Sequence, residues 1–133
     1  MTPAEIAAEM QAIRAVGWVY CDWRPRGMMS IRDLDDYLIE AGMSPSLRDG
    51  WQEINKGEAM RLTQDWASQD LAYRTKTGAP ACDVFFRQLT RRARYFTNRT
   101  GASWTPKTNH TFDAGVVGLD GATIAMLWFA DED

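Results

Sequence analysis

The amino-acid sequence predicts an α+β fold in which a three-stranded antiparallel sheet packs against about five α-helices. Two apolar runs near the C-terminus, separated by Asp120-Gly121, indicate a β-hairpin, and a run rich in β-forming residues at positions 18–23 indicates a third strand. Helical spacing of apolar residues runs through most of the remaining chain. At 133 residues the chain has the length of one domain, and we expect a single domain over residues 1–133.

The predicted hairpin joins residues 111–119 to residues 122–130 through a two-residue loop. An Asp-Gly loop is typical of a type I′ turn, which needs positive φ at both central positions. This turn would place Leu119 opposite Ala122. Because the second strand is apolar on both faces, we expect other elements to cover both faces of the sheet.

The N-terminal part of the chain predicts a helix followed by the third strand. Thr2 and Glu5 have the spacing of a capping box, Pro3 suits the first helical position, and Gly17 suits the end of the helix. Residues 18–23 are expected to pair with the C-terminal hairpin.

Three further helices are expected before residue 75. The second begins at Ser30 and stops at Gly42, the third covers residues 44–55, and the fourth runs from residue 58 to about residue 74. The third and fourth could form one kinked helix. We expect the acidic side chains of the second helix, Asp35 among them, to lie in solvent.

The fifth predicted helix begins at Pro80 and runs to about residue 97. Residues 98–109 are polar and contain glycine and proline, which is typical of an exposed connection with an ordered Trp104. On a helical wheel the apolar residues of the fifth helix share one arc, and the arginines occupy the rest.

Charge is segregated along the sequence. Residues 74–110 carry eight basic and one acidic side chain, whereas residues 1–73 and 111–133 each have a net charge of −5. The total of −3 therefore conceals one strongly cationic segment, which indicates an anionic partner unless the segments neutralise one another in the fold. An acidic surface in residues 1–73 could instead imitate nucleic-acid phosphates toward a basic partner.

The cationic segment supplies the predicted binding residues. Arginine presents a planar fork of donors that suits carboxylates and phosphates, and aromatic rings beside it provide contact area. The residues that we expect to contact a partner are Arg87, Arg91, Arg92, Arg94, Tyr95, Arg99 and Trp104. An acidic protein surface or a protein–nucleic-acid complex is the expected partner, with direct DNA or RNA binding by the same helix as the alternative.

A second alternative is a hydrolase or transferase centred on His110, the single histidine. Asp113 would orient the imidazole, and Cys21 or Cys82 would be the nucleophile. A hydrogen-bonding loop histidine is the simpler interpretation.

Other classes of function find no support in the sequence. It contains no Walker loop, dinucleotide-binding glycine motif or nucleophile elbow, and its one histidine excludes a two-histidine metal site, so we expect no metal and no cofactor. The two cysteines have no redox spacing, the first residues do not resemble a secretory signal, and no apolar run is long enough to span a membrane. The sequence thus predicts a small cytoplasmic, non-enzymatic interaction protein, a regulator or inhibitor, of unspecified oligomeric state.

Overall fold

A computed structural model of the chain describes residues 1–14, 17–27, 30–45, 47–68, 80–100 and 103–132. Within these ranges the chain forms four α-helices, the second preceded by a 3₁₀ turn at Ile31–Asp33. The helices are α1 (Pro3–Arg14), α2 (Leu34–Glu40), α3 (Lys56–Ser68) and α4 (Pro80–Phe86). The strands are β1 (Trp18–Pro25), β2 (Gln52–Ile54), β3 (Arg94–Thr97), β4 (Arg99–Thr100), β5 (Ser103–Trp104), β6 (Phe112–Leu119) and β7 (Thr123–Asp131).

The central feature of the fold is a five-stranded antiparallel sheet with the strand order β1-β7-β6-β3-β2. The fold class is α+β, but the prediction of a three-stranded sheet with about five helices is wrong. The predicted strand β1 pairs with β7 along its whole length, as expected. The two additional strands, β3 and β2, come from residues that were expected to be helical, and β4 and β5 form a separate two-stranded ribbon.

The C-terminal hairpin is present, but its turn lies one residue later than predicted. Leu119 pairs with Ile124, not with Ala122. Gly121 has a φ of +88°, and the Asp120 carboxylate accepts hydrogen bonds from the backbone N–H groups of Ala122 and Thr123 at 2.9 and 2.8 Å. The aspartate side chain therefore caps the turn from outside the loop, and one glycine with positive φ suffices, as in a type II′ turn.

Both faces of β7 are covered, as its apolar pattern predicts. One face carries Ala125, Leu127 and Phe129, which pack against α1, α3 and α4. The other face carries residues such as Trp128, which pack against α2 and the segment around Trp51. The sheet is therefore the middle layer between two sets of covering elements.

The capping predictions are confirmed at the first two helices. Thr2 and Glu5 exchange backbone-to-side-chain hydrogen bonds of 3.1 Å, and Ser30 and Asp33 form a second capping box before α2. The fourth predicted helix corresponds to α3. The Asn55 side chain, just before this helix, accepts a hydrogen bond from the backbone N–H of Glu58. The predicted end of the helix near residue 74 lies outside the described residues.

The third predicted helix does not exist in the described part of residues 44–55. Asp49 and Gly50 both have positive φ, at 65° and 71°, and two consecutive left-handed residues interrupt a right-handed helix. Residues 52–54 instead form β2 at the edge of the sheet.

The fifth predicted helix is also wrong beyond its first two turns. Helix α4 ends at Phe86, and the N–H groups of Gln88 and Leu89 donate to carbonyl oxygens three residues earlier, which tightens the chain into turns. Residues 94–97 form β3 between β6 and β2, where Tyr95, Phe96 and Thr97 are buried. No helix of the described chain is long and apolar enough to cross a membrane.

Candidate functional site

The seven predicted partner-binding residues lie at two opposite ends of the sheet. We call the end with the β6–β7 turn the turn end, and the end where β6 begins the open end. Arg87, Arg91, Arg92 and Arg94 lie at the turn end, because β3 starts opposite Leu119. At a rise of about 3.3 Å per residue, Arg99 lies roughly 16 Å further along the chain, toward the open end.

Three of the arginines form an exposed cationic loop at the turn end. Arg87, Arg91 and Arg92 are exposed, and among the described residues none of them forms an ion pair. We call residues 87–92 the arginine loop. Its backbone is tied to the hairpin, since the N–H of Thr90 donates to the Asp120 carboxylate at 2.9 Å. The three guanidinium groups therefore project from an anchored segment.

Arg94 is exposed but already has a partner. It forms a two-pronged ion pair with Glu53 on β2, with both N–O distances at 2.9 Å. This hydrogen bonding lowers the pKa of the Glu53 carboxyl. The guanidinium carbon also lies 5.2 Å from the centre of the Phe96 ring. Arg94 therefore contributes less free charge than the arginine loop.

The remaining predicted residues do not extend that surface. Tyr95 is 1% exposed, and its ring packs against Phe86 with the centroids 5.5 Å apart. Arg99 lies over the Trp104 ring at 5.6 Å, and Trp104 contacts Phe112, all at the open end. Tyr95 is thus buried at the turn end, and Trp104 lies away from the arginine loop.

His110 is a hydrogen-bonding loop histidine, as the simpler interpretation held, but its partners were not predicted. Its Nε2 lies 2.8 Å from the Tyr20 hydroxyl, its Nδ1 lies 3.0 Å from Glu132 Oε1, and the Trp18 ring stacks on it at 4.2 Å. Since an ionised carboxylate only accepts, Nδ1 carries a proton, and in the neutral imidazole Nε2 accepts from the Tyr20 hydroxyl. Hydrogen bonds from Thr111 and then His110 lower the pKa of Glu132.

The predicted catalytic set around His110 is not assembled. Cys21 lies on the face of β1 opposite to Tyr20, in the cluster that contains Cys82. Burial raises the pKa of each thiol to about 12, so both cysteines are protonated at neutral pH. The imidazole therefore has a phenol and a carboxylate beside it, and no thiolate.

The Asp113 carboxylate is used in the interior of the protein. It accepts from five donors at 2.8 to 3.2 Å: Asn98 Nδ2, the N–H groups of Lys107 and Thr108, Thr108 Oγ1 and Trp128 Nε1. This arrangement fixes the 105–113 connection to the sheet. Residues 107 and 108 are consequently buried, although an exposed connection was expected.

A buried ion pair joins this connection to α2. Lys107 Nζ lies 2.6 Å from Asp35 Oδ1 and donates to the carbonyl oxygens of Leu47 and Asp49 at 3.0 and 2.7 Å. All three ammonium protons thus have acceptors. Asp35 is fully buried, so the expectation that it lies in solvent is wrong. Sequence reasoning missed this pair because its members are 72 residues apart and neither lies in a motif.

A cavity of about 610 Å³ opens between α3 and the open end of the sheet. Arg99 is the one predicted binding residue that lines it, together with Arg14, Arg61 and several aromatic side chains. No local pattern indicates this cavity, because β2, β3 and β6 form its floor by long-range pairing.

The described residues form no candidate metal site, and comparison with known proteins gives no match. Within the described ranges, no group of three His, Cys, Asp or Glu side chains could hold a metal ion. No protein-family model, curated protein or solved structure matches the chain.

Proposed function

We propose that this chain is a small, cytoplasmic, non-enzymatic interaction protein that regulates or inhibits a larger assembly by docking the arginine loop on an acidic protein surface. The observation that carries the proposal is the set of exposed guanidinium groups at Arg87, Arg91 and Arg92, which have no ion-pair partner among the described residues. The two cysteines are free thiols, which is compatible with a reducing compartment.

The contrast with the other arginines supports a binding role for the loop. Six arginines of the described chain form ion pairs: Arg14, Arg24, Arg26, Arg48, Arg61 and Arg94. The fold therefore neutralises many of its cations internally and leaves three together within six residues. Clustered like charges destabilise a compact state slightly, and they raise the rate of association with a surface of opposite charge.

The separation of charge from aromatic residues favours a protein partner over single-stranded nucleic acid. Binding of single strands combines a cationic groove with aromatic rings on which bases stack. Here Tyr95 is buried, and Trp104 lies at the opposite end of the sheet from the arginine loop. A loop of arginines without such rings is better suited to carboxylates on a folded surface.

A charge-reversal experiment tests the proposal. The chain carrying Arg91→Glu and Arg92→Glu is compared with the wild type and with a control carrying Arg32→Glu and Arg48→Glu. Both variants change the net charge equally, and all four side chains are exposed. Each protein is used to capture partners from a lysate of the cells in which the protein naturally occurs, and the captured proteins are quantified by mass spectrometry.

We expect a partner that is retained by the wild type and by the control, and whose capture falls at least about tenfold with the loop variant, since each lost contact of 1.4 kcal/mol costs a factor of ten. The melting temperature of the loop variant should not change, because exposed substitutions without partners have small effects on stability. Equal capture by all three proteins would overturn the proposal. Binding to DNA or RNA that weakens by several orders of magnitude between low and physiological salt would favour the nucleic-acid alternative.

A further inference from the structure

The cavity at the open end is a break in the packing between α3 and the sheet. Nearer the turn end, inward-facing residues such as Val116 are completely buried under the helices. Ala114 lies two residues further along the same face of β6 and lines the cavity, as does Thr97, the β3 residue paired with Val116. Small side chains on the floor therefore leave a space that the helix does not fill.

The walls of the cavity are largely aromatic and aliphatic. Trp66 and Phe129 lie with their ring centroids 6.2 Å apart, and Leu62 lines the helical wall. Phe112 also lines the cavity and is 37% exposed, which is unusual for a phenylalanine on a buried strand. An apolar, planar group of a ligand would find hydrophobic surface on the floor, on the helical wall and at Phe112.

The polar part of the wall contains three guanidinium groups, those of Arg14, Arg61 and Arg99. Arg99 lies over the Trp104 ring at 5.6 Å, whereas Arg14 and Arg61 differ in how firmly they are held. Arg14 is 2% exposed, and it is held by Asp131 at 2.7 Å and by the Trp66 carbonyl at 3.0 Å. The Arg61 side chain is more than half exposed, and the side chains of its partners on the same helix, Glu58 and Asp65, are 40% and 49% exposed. Exposed ion pairs of this kind contribute little, about 0–1 kcal/mol, so an incoming anion can displace them from Arg61.

The surrounding acids restrict the charge of that anion. Glu58 and Asp65 flank Arg61, at 2.6 and 3.2 Å from its nitrogens, and Asp131 lies in the same wall. A singly charged, planar carboxylate matches the guanidinium fork, whereas a doubly charged phosphate meets greater repulsion from these carboxylates.

We propose that the cavity between α3 and the open end of the sheet binds a small planar apolar molecule bearing one carboxylate, with the ring system among Trp66, Phe129 and Phe112 and the carboxylate on Arg61. A volume of about 610 Å³ suits a ligand of this size. This site is distinct from the arginine loop, and its occupation does not depend on the proposed docking function.

Three probes with one ring system test the assignment: 2-naphthoate, 2-naphthalenemethanol and 2-naphthyl phosphate. Each is titrated into the isotopically labelled chain, and dissociation constants are taken from the amide shifts of residues lining the cavity. We expect naphthoate to bind, and the alcohol and the phosphate to bind at least about fivefold more weakly, a difference of roughly 1 kcal/mol. Absence of naphthoate binding, or equal or tighter binding of either other probe, would overturn the proposal.

Variants of the cavity provide the second arm. Ala114→Leu fills the floor and should weaken naphthoate binding at least about tenfold. Leu62→Trp on the helical wall serves the same purpose if Ala114→Leu does not fold. Arg61→Gln should reduce naphthoate binding to the level of the alcohol and leave alcohol binding unchanged, whereas the control Arg48→Gln should change neither. Unchanged naphthoate binding by a folded floor-filling or wall-filling variant would place the ligand elsewhere and contradict the assignment.

Discussion

At the scale of single residues, the structure depends on polar groups that are buried with all their partners. The Lys107 ammonium and the Asp113 carboxylate are both removed from solvent, and each is surrounded by complementary hydrogen-bonding groups. Burial of a charge is tolerated only under this condition, because an unpaired charge in the interior costs several kcal/mol. These two residues attach the 105–113 connection to α2 and to the sheet.

Replacing Lys107 with alanine should destabilise the protein severely. The substitution leaves Asp35 buried without its cation, which costs about 3–5 kcal/mol for a pair of this type. Urea denaturation measures the free energy of unfolding. Arg48→Ala removes an exposed ion pair with Asp36, with side chains more than half exposed, and should cost less than about 1 kcal/mol. A loss of under about 1 kcal/mol for Lys107→Ala would contradict the buried pair.

The two thiols predict a loss of stability at alkaline pH. The pKa of Cys21 and of Cys82 is about 12 in the folded state, above the ordinary value of 9.0. The unfolded chain therefore loses these protons first, and the free energy of unfolding falls as the pH rises from 9 toward 12, by up to about 1.4 kcal/mol per pH unit for each thiol. Cys21→Ala with Cys82→Ala should flatten this slope in urea denaturation between pH 8 and pH 10.5. An identical slope in the variant would contradict the claim that burial raises the pKa of the two thiols.

At the scale of secondary-structure elements, the parts with local signals could be predicted and the parts defined by long-range pairing could not. Helix α1 follows from its capping box, and β1 and the hairpin follow from β-rich runs beside turn residues. The segments that became β2 and β3 also fit a helical wheel, since a few apolar residues in a short segment satisfy both periods. β3 pairs with β6 and β2 pairs with β3, so pairing between segments distant in sequence decided between strand and helix.

Long-range strand pairing also limits how much of the candidate site could be predicted from the sequence. The cationic segment was visible in the composition, and Arg87, Arg91 and Arg92 are exposed. The helical wheel, however, placed Tyr95 and Arg99 beside them, whereas a strand buries the first and carries the second to the other end of the sheet. The residues that lie beside these three arginines depend on whether each segment forms a helix or a strand, which the local sequence did not determine.

Asp120 should couple the hairpin turn to the arginine loop. Its carboxylate accepts from the backbone N–H groups of Ala122, Thr123 and Thr90. Asp120→Ala should cost about 1–3 kcal/mol in the free energy of unfolding, because backbone donors lose a charged acceptor. It should also speed amide hydrogen exchange at Thr90, measured by NMR. Asp120→Asn keeps one acceptor oxygen and should have a smaller effect; unaltered exchange at Thr90 in the alanine variant would contradict the coupling.

At the scale of the whole molecule, the sheet separates two surfaces of different character. The turn end carries the arginine loop, with three cations that have no acidic partner among the described residues. The open end carries aromatic residues, the cavity and the hydrogen bonds that link Tyr20 to His110 and His110 to Glu132. The two proposals concern opposite ends of the sheet, so the docking experiment and the ligand titration test them independently.

Photo-cross-linking from the arginine loop tests the docking claim most directly. A photoreactive amino acid is placed at position 91 in one protein and at position 48 in another, and both proteins are irradiated in host cells. Both positions are exposed arginines in the wild type, so solvent access is matched. We expect a discrete adduct with one partner protein from position 91 and none from position 48. No adduct from position 91, or the same adducts from both positions, would contradict docking through the arginine loop.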